Sequence, residues 1–226
     1  MESPGRNQSP RLKNANFKPH DLLAKMRITR ILLFFSLIAT AVIYLYPRTW
    51  ELDLIANLQA ASTSLSVHFL QFITDYVDVI SVGIPVVLLI IGLARQNKPL
   101  REKALLVLFA VALAGALSNG LKRVVKEPRP YEVDTRIAQW SGGGGYGFPS
   151  GHAADAVAAA TAFSLLWPEL SIIVAVCSWA GIIMFSRIYL GVHDPGDVMA
   201  GMFLGMLSCM VVFKIRDSLN QSRAPM

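Results

Sequence analysis

Residues 77–121 read VDVISVGIPVVLLIIGLA, then RQNKPLREK, then ALLVLFAVALAGALSNGL. Two apolar runs flank a short basic loop, and each run is long enough to cross a bilayer, or nearly so. Pro85 in the first marks a kink that neighbouring helices must accommodate. Further apolar runs of about 16–19 residues recur on both sides of this hairpin. The chain therefore reads as an integral membrane protein, all-α, built as a six-helix bundle.

Composition agrees. The 226 residues are 54% hydrophobic and only 16% charged, with a mean hydropathy of +0.47, where a soluble domain carries about 25% charged residues. Much of the net charge of +6 lies in the first thirty residues, beside the first apolar run. That is the usual cytoplasmic flank of a span, so nucleic acid is not an expected partner. Cys177 and Cys209 fall inside apolar runs and read as small buried hydrophobes, with no disulfide or zinc framework.

The spans are expected at about 28–46, 77–94, 104–121, 152–167, 170–188 and 198–213. A basic tail, 1–27, precedes them and a short tail, 214–226, follows. A cleaved signal peptide is the rival reading of the first run, but the basic region is too long and Leu45-Tyr46-Pro47-Arg48 is a poor cleavage site. Residues 52–74 are apolar at a helical period yet interrupted by polar side chains, which predicts one or two interfacial amphipathic helices between spans one and two. Gly201 and Gly205 form a small-xxx-small pair suited to close helix packing.

Lysines and arginines set the orientation. Arg6, Arg11, Lys13, Lys18, Lys25, Arg27 and Arg30, the loop 95–103, and Lys214, Arg216 and Arg223 fall on one side of a six-span plan, the cytoplasmic one. The opposite-facing loop nevertheless carries Lys122, Arg123, Lys126, Arg129 and Arg136. Basic residues on the wrong side need a local reason.

The outward-facing span ends supply it. Lys122 and Arg129-Pro130 follow span three. Pro149-Ser150-Gly151-His152 opens span four, and Ser186-Arg187, His193 and Asp197 join spans five and six. Topology brings two histidines, a carboxylate and three cations to one membrane face. Arginine's planar fork and lysine's point charge suit phosphate oxygens, and Ser150 with the backbone N–H groups of a helix start completes an oxyanion cradle. Such a set permits phosphoryl transfer through a covalent histidine, with no metal or other cofactor. His193 and Asp197, at i and i+4, suit a histidine–carboxylate pair if a helix begins near Asp194 or Pro195. His152 would then protonate the leaving oxygen and later activate water.

Lys122-x6-Arg129-Pro130, Pro149-Ser150-Gly151-His152 and Ser186-Arg187-x5-His193-x3-Asp197 resemble the three-part signature of the type 2 phosphatidic acid phosphatase superfamily. That family includes lipid phosphatases, lipid phosphotransferases, glucose-6-phosphatase and soluble vanadium haloperoxidases. The resemblance implies that His193 is the nucleophile, Asp197 its partner and His152 the acid/base. It implies phosphate binding by Lys122, Arg129, Ser150, Gly151 and Arg187. The expected activity is hydrolysis of a lipid phosphate or diphosphate: polyprenyl diphosphate, lipid A phosphate, phosphatidylglycerol phosphate or phosphatidic acid. A phosphotransferase passing the same phosphoryl group to a second lipid is the alternative. The expected location is a bacterial inner membrane, termini cytoplasmic and site on the periplasmic or extracellular face.

Five neighbours of the site invite simpler readings. Asp155, one turn beyond His152, would pair with an arginine or tune that histidine. Asp194 would cap a helix starting at Pro195. Arg123, Lys126 and Arg136 read as solvated charges or anionic-lipid contacts.

Overall fold

The computed structural model describes residues 19–222, with side-chain surroundings from Met26 onward. The first part of the expected basic tail, with Arg6, Arg11, Lys13 and Lys18, and Arg223 lie outside it. No strand occurs among the described residues.

Helix α1, Pro19–Tyr44, begins on a proline and ends just ahead of Pro47, which disfavours helix in the residue before it. Helix α2, Thr49–Ala60, buries Leu52, Ile55 and Gln59 on one side. Helix α3, Ser64–Asp75, opens with a capping box in which Thr63 Oγ1 accepts from Ser66 N at 3.2 Å and Ser66 Oγ accepts from Thr63 N at 3.0 Å. A π-helical turn, Val79–Gly83, leads into α4, Ile84–Ala94. Pro85 lacks an N–H, and the ladder is rearranged in the turn before it rather than broken. Together Ser64–Ala94 make one apolar run long enough to cross a membrane. The expected second span, 77–94, covers only its later part, because a polar half-face in 64–74 disguises its continuity with α4.

Helix α5, Lys98–Val125, is capped by Asn97, whose Oδ1 accepts from Leu100 N at 3.1 Å. It exceeds the expected 104–121 at both ends, since charged residues extend the helix beyond its apolar stretch. A short α6, Pro130–Val133, lies in the following loop. Then come α7, Gly151–Leu166; α8, Leu170–Tyr189; and α9, Pro195–Ser222, which continues past Phe213 through Lys214 and Arg216.

Among the described residues, five segments are long and apolar enough to cross a membrane: Met26–Tyr44, Ser64–Ala94, Lys98–Val133, Leu170–Tyr189 and Pro195–Ser222. Helix α7 is not one of them. Its 16 residues span about 24 Å at 1.5 Å per residue, against a hydrocarbon core of about 30 Å. Instead α7 is the centre of the bundle, packed chiefly against α9, α5 and α8. Its alanines, 153, 154, 156, 158, 159, 160 and 162, are buried, as befits a helix apolar on every side. The glycine pair of α9 makes this possible. A Cβ on Gly201 would come within 2.5 Å of Ser150 O, and one on Gly205 within 2.5 Å of Ala154 O.

Candidate active site

Three segments meet at one end of the bundle. Lys122 lies in the last turn of α5, and Arg129 follows in the loop. Helix α7 begins with Ser150 as N-cap, its side chain facing Ala153 N at 3.5 Å. Gly151 and His152 form the first turn, with Gly151 backed by Ser118. Arg187 closes α8, and a turn with Gly191 at φ +73 carries the chain through His193 into α9. A Cβ on Gly191 would meet Ala138 O at 2.5 Å and Gln59 Nε2 at 2.6 Å, so only glycine fits there.

His193 is 2% exposed and Asp197 fully buried. Nδ1 of His193 lies 3.2 Å from Asp197 Oδ2, the same oxygen that accepts from Asp194 N at 3.2 Å. Asp197 O in turn accepts from Ser150 N at 3.0 Å, which ties the start of α7 to the start of α9. Burial, joined by the charges of Arg187, Lys122 and Arg129 and opposed by a hydrogen bond with the Gly147 backbone, holds His193 well below the ordinary histidine range. Its imidazole is neutral at pH 7. His152 stands half-buried on α7 within the field of His193, Arg187, Arg129 and Lys122.

The three cations are all turned toward one loop. Lys122 Nζ donates to Tyr146 O (2.8 Å) and Gly147 O (3.1 Å). Arg129, 3% exposed, donates from Nε to Gly145 O (2.9 Å), from Nη2 to Gly144 O (3.0 Å) and from Nη1 to Val192 O (3.0 Å). Arg187 donates from Nη1 to Thr74 Oγ1 (2.9 Å) and Ser141 Oγ (3.1 Å), and from Nη2 to Gly142 O (3.3 Å). Its Nε is buried with no partner in the structure, as are Asp197 Oδ1 and Asp194 Oδ1. Carbonyls of 142–147 thus occupy donors that a phosphate would use. Ser186 Oγ instead bonds back to Ile183 O at 2.7 Å, within its own helix.

Several residues around the site carry no motif signal in the sequence. Thr74 receives Arg187, and Gln59 grips Ala138 through Nε2→O (2.9 Å) and N→Oε1 (2.8 Å). Arg48 Nε donates to Asp194 Oδ2 at 2.8 Å, and its Nη2 bonds the same oxygen and Pro128 O. Asp194 therefore pairs with Arg48 through Oδ2 while its Oδ1 has no partner, so the expected capping role is replaced by an ion pair. Burial and the nearby Asp197 push its pKa up to about 7, with Arg48 opposing. Of the two readings of Asp155, the ion pair is not met: no arginine pairs with it among the described residues, and its Oδ1 is buried without a partner. Arg136 is bound rather than free, held by Asp134 and Asp53. No group of three or more His, Cys, Asp or Glu among the described residues is placed to hold a metal ion.

The model of the PAP2 superfamily matches residues 103–221, which include every signature group. The chain belongs to the PAP2 superfamily. Among relatives, the lipid A 1-phosphatase of Rhizobium johnstonii is 35% identical over 103 residues, 43% of this chain and 41% of that protein. The undecaprenyl-diphosphatase of Sulfolobus acidocaldarius is 30% identical over 150 residues, 66% of this chain and 68% of that protein. The chain thus spans less than half the length of the first relative. The crystal structure of LpxE from Aquifex aeolicus superposes with a TM-score of 0.61 at 27% identity, covering 72% of this chain and 94% of that one. As a PAP2 member with five crossing-length apolar segments, the chain is an integral membrane protein.

Proposed function

We propose that this PAP2 protein is a membrane phosphatase that hydrolyses a lipid phosphate through a phosphohistidine on His193. The observation that carries the reading is the neutral, buried His193 held against Asp197 in the combined field of Lys122, Arg129 and Arg187. With Asp197 accepting from Nδ1–H, the lone pair resides on Nε2. Nε2 attacks phosphorus, the P–O bond to the lipid breaks, and His152 gives its proton to the leaving oxygen. The three cations, Ser150 and the N–H groups at the start of α7 hold the equatorial oxygens, taking them in place of the loop carbonyls. His152 then removes a proton from water, water attacks phosphorus, the P–N bond breaks, and inorganic phosphate leaves. No step calls on a metal.

The membrane plan we propose keeps six crossings, with α7 as the short inner one shielded from lipid by α5, α8 and α9. Helix α2 lies at the interface and the later half of the amphipathic stretch belongs to span two. Both termini face the cytoplasm of a bacterial inner membrane and the site faces outward, where a lipid headgroup rests.

The relatives' names favour lipid A phosphate as substrate. Polyprenyl diphosphate is the second reading, supported by the undecaprenyl-diphosphatase match over two thirds of the chain. Purified protein assayed for phosphate release from lipid A, undecaprenyl diphosphate, phosphatidylglycerol phosphate and phosphatidic acid, with EDTA present, tests substrate and metal independence together. Release from none of them, or release abolished by EDTA and restored by a divalent ion, sinks the scheme. Transfer of label to an added acceptor lipid instead of water would establish a phosphotransferase.

A further inference from the structure

The turn that carries the nucleophile is short and irregular, and part of its hold on the bundle comes from outside the matched family region. Four residues separate α2 from the end of α1, and the first turn of α2 faces the start of α9. Two side chains of opposite charge reach across. Arg48 donates Nε to Asp194 Oδ2 at 2.8 Å and Nη2 to the same oxygen and to Pro128 O, the latter at 2.8 Å. Its Nη1 lies 3.6 Å from Glu127. Glu51, 5% exposed, accepts from Gly196 N at 2.7 Å. Gly196 N belongs to the first turn of α9, where N–H groups lack helical partners and a carboxylate is favoured by the helix dipole.

The two grips bracket the catalytic pair. Asp194 follows His193 directly, and its backbone N–H shares the Asp197 oxygen that holds the imidazole. Asp194 side chain to Arg48 and Asp194 backbone to Asp197 thus form one relay. Through Pro128 O and Glu127, Arg48 also fastens the residues just ahead of Arg129. Tyr44 supports this side, its hydroxyl 3.4 Å from Glu127 Oε2 and its ring against Phe148. A Cβ on Gly196 would meet Tyr44, Glu51 and Ile43 at 3.1–3.2 Å, so the fit between the α1–α2 elbow and α9 is close.

We propose that Arg48 and Glu51 are positioning residues for the nucleophile, a two-point clamp from α2 that fixes the His193–Asp197 turn. The proposal rests on His193 being the attacking group. A clamp of this kind acts on orientation: it aligns Nε2 for in-line attack and leaves the ground-state phosphate contacts of Lys122, Arg129 and Arg187 in place.

The test uses the full chain in detergent, with dioctanoyl phosphatidic acid for kinetics and orthovanadate and inorganic phosphate as competing ligands. Vanadate bonds the attacking nitrogen and mimics the transition state; phosphate reads the ground-state cradle. Arg48→Ala and Glu51→Ala are expected to lower kcat at least tenfold with KM within threefold. Vanadate affinity should fall in step with kcat while phosphate affinity holds. Glu51→Gln, which keeps the acceptor for Gly196 N, should recover most of the rate. Arg48→Ala combined with Asp194→Ala should be no slower than either alone, because both break one relay. Where Arg48→Ala does not purify as a folded protein, Arg48→Lys and Arg48→Gln carry the same vanadate-against-phosphate comparison. Unchanged kcat, equal losses of vanadate and phosphate affinity, or additive effects in the double variant overturn the clamp. His193→Ala separates the two levels. Turnover surviving that change overturns the nucleophile itself, whereas a dead His193→Ala beside unaffected Arg48→Ala and Glu51→Ala overturns the clamp alone.

Discussion

At the scale of single residues, the candidate site holds one imidazole neutral among three cations. His193 is held well below its ordinary pKa by burial and those charges, so its protonation does not set the acid limb of the rate profile near pH 6.5. His193→Ala should reduce phosphate release to background while the melting temperature in detergent changes little. Glu51 bears an opposite shift. Burial pushes it up to about 7, partly offset by its hydrogen bond from Gly196 N. An acid whose folded pKa is raised binds its proton more tightly in the native state, so its contribution to stability falls as pH rises from about 4.3 toward 7. Glu51→Gln removes that slope. The difference in melting temperature, variant minus wild type, should grow more positive between pH 4.5 and 7 and stay level above; a flat difference across that window would contradict the shift. Motif residues were readable in the sequence because their types and spacings are chemically unusual. Arg48, Glu51, Gln59 and Thr74 were not, because a lone polar residue in an amphipathic stretch looks the same whether it meets solvent or a buried partner.

At the scale of elements, the loop 142–147 and the α7–α9 contact are the informative pieces. The loop packs its carbonyls onto Lys122, Arg129 and Arg187, and Gly143 sits where a Cβ would come within 2.5 Å of Arg129 Nη1. Gly143→Ala should therefore displace the guanidinium and weaken competitive inhibition by inorganic phosphate about tenfold, by loss of a charge-assisted contact of ~1.5 kcal/mol. Inhibition constants measured at fixed pH check it. In the helix pair, Gly205→Ala forces a Cβ against Ala154 O and should destabilise the protein by ~1–3 kcal/mol, read as a lower melting temperature. The sequence pattern comes within one residue of both ends of α7, which Pro149 and Pro168 border, but stops well short of the end of α9. It set 52–74 apart from the span that follows, whereas Thr63 and Ser66 cap a helix, Ser64–Asp75, that leads by way of a π-helical turn into α4. Hydropathy alone registers such a cap as an interruption.

For the molecule as a whole, charge asymmetry is the feature on which the proposed orientation rests. With Cys177 and Cys209 replaced by Ser, a single cysteine at position 135 should react with a membrane-impermeant thiol reagent in intact cells. One at position 97 should react only after permeabilisation. The reverse pattern would invert the proposed topology and place the site in the cytoplasm. The all-helical, membrane-spanning character was legible from the chain because its long apolar runs are separated by polar segments. The special status of α7 was not: an alanine-rich segment of 16 residues scores as a weak span, and only the packing reveals that α5, α8 and α9 surround it.

The grip of α2 on α9 bears on how these proteins can be recombined. Residues 103–221 carry every signature group, and on motif grounds they look like a portable cassette for changing lipid preference. Exchanging that cassette between two members would strand Asp194 and Gly196 N without their tethers unless the recipient's α1–α2 elbow supplied an arginine and an acid at matching places. The transferable unit is therefore longer than the motif map, and begins at about Tyr44.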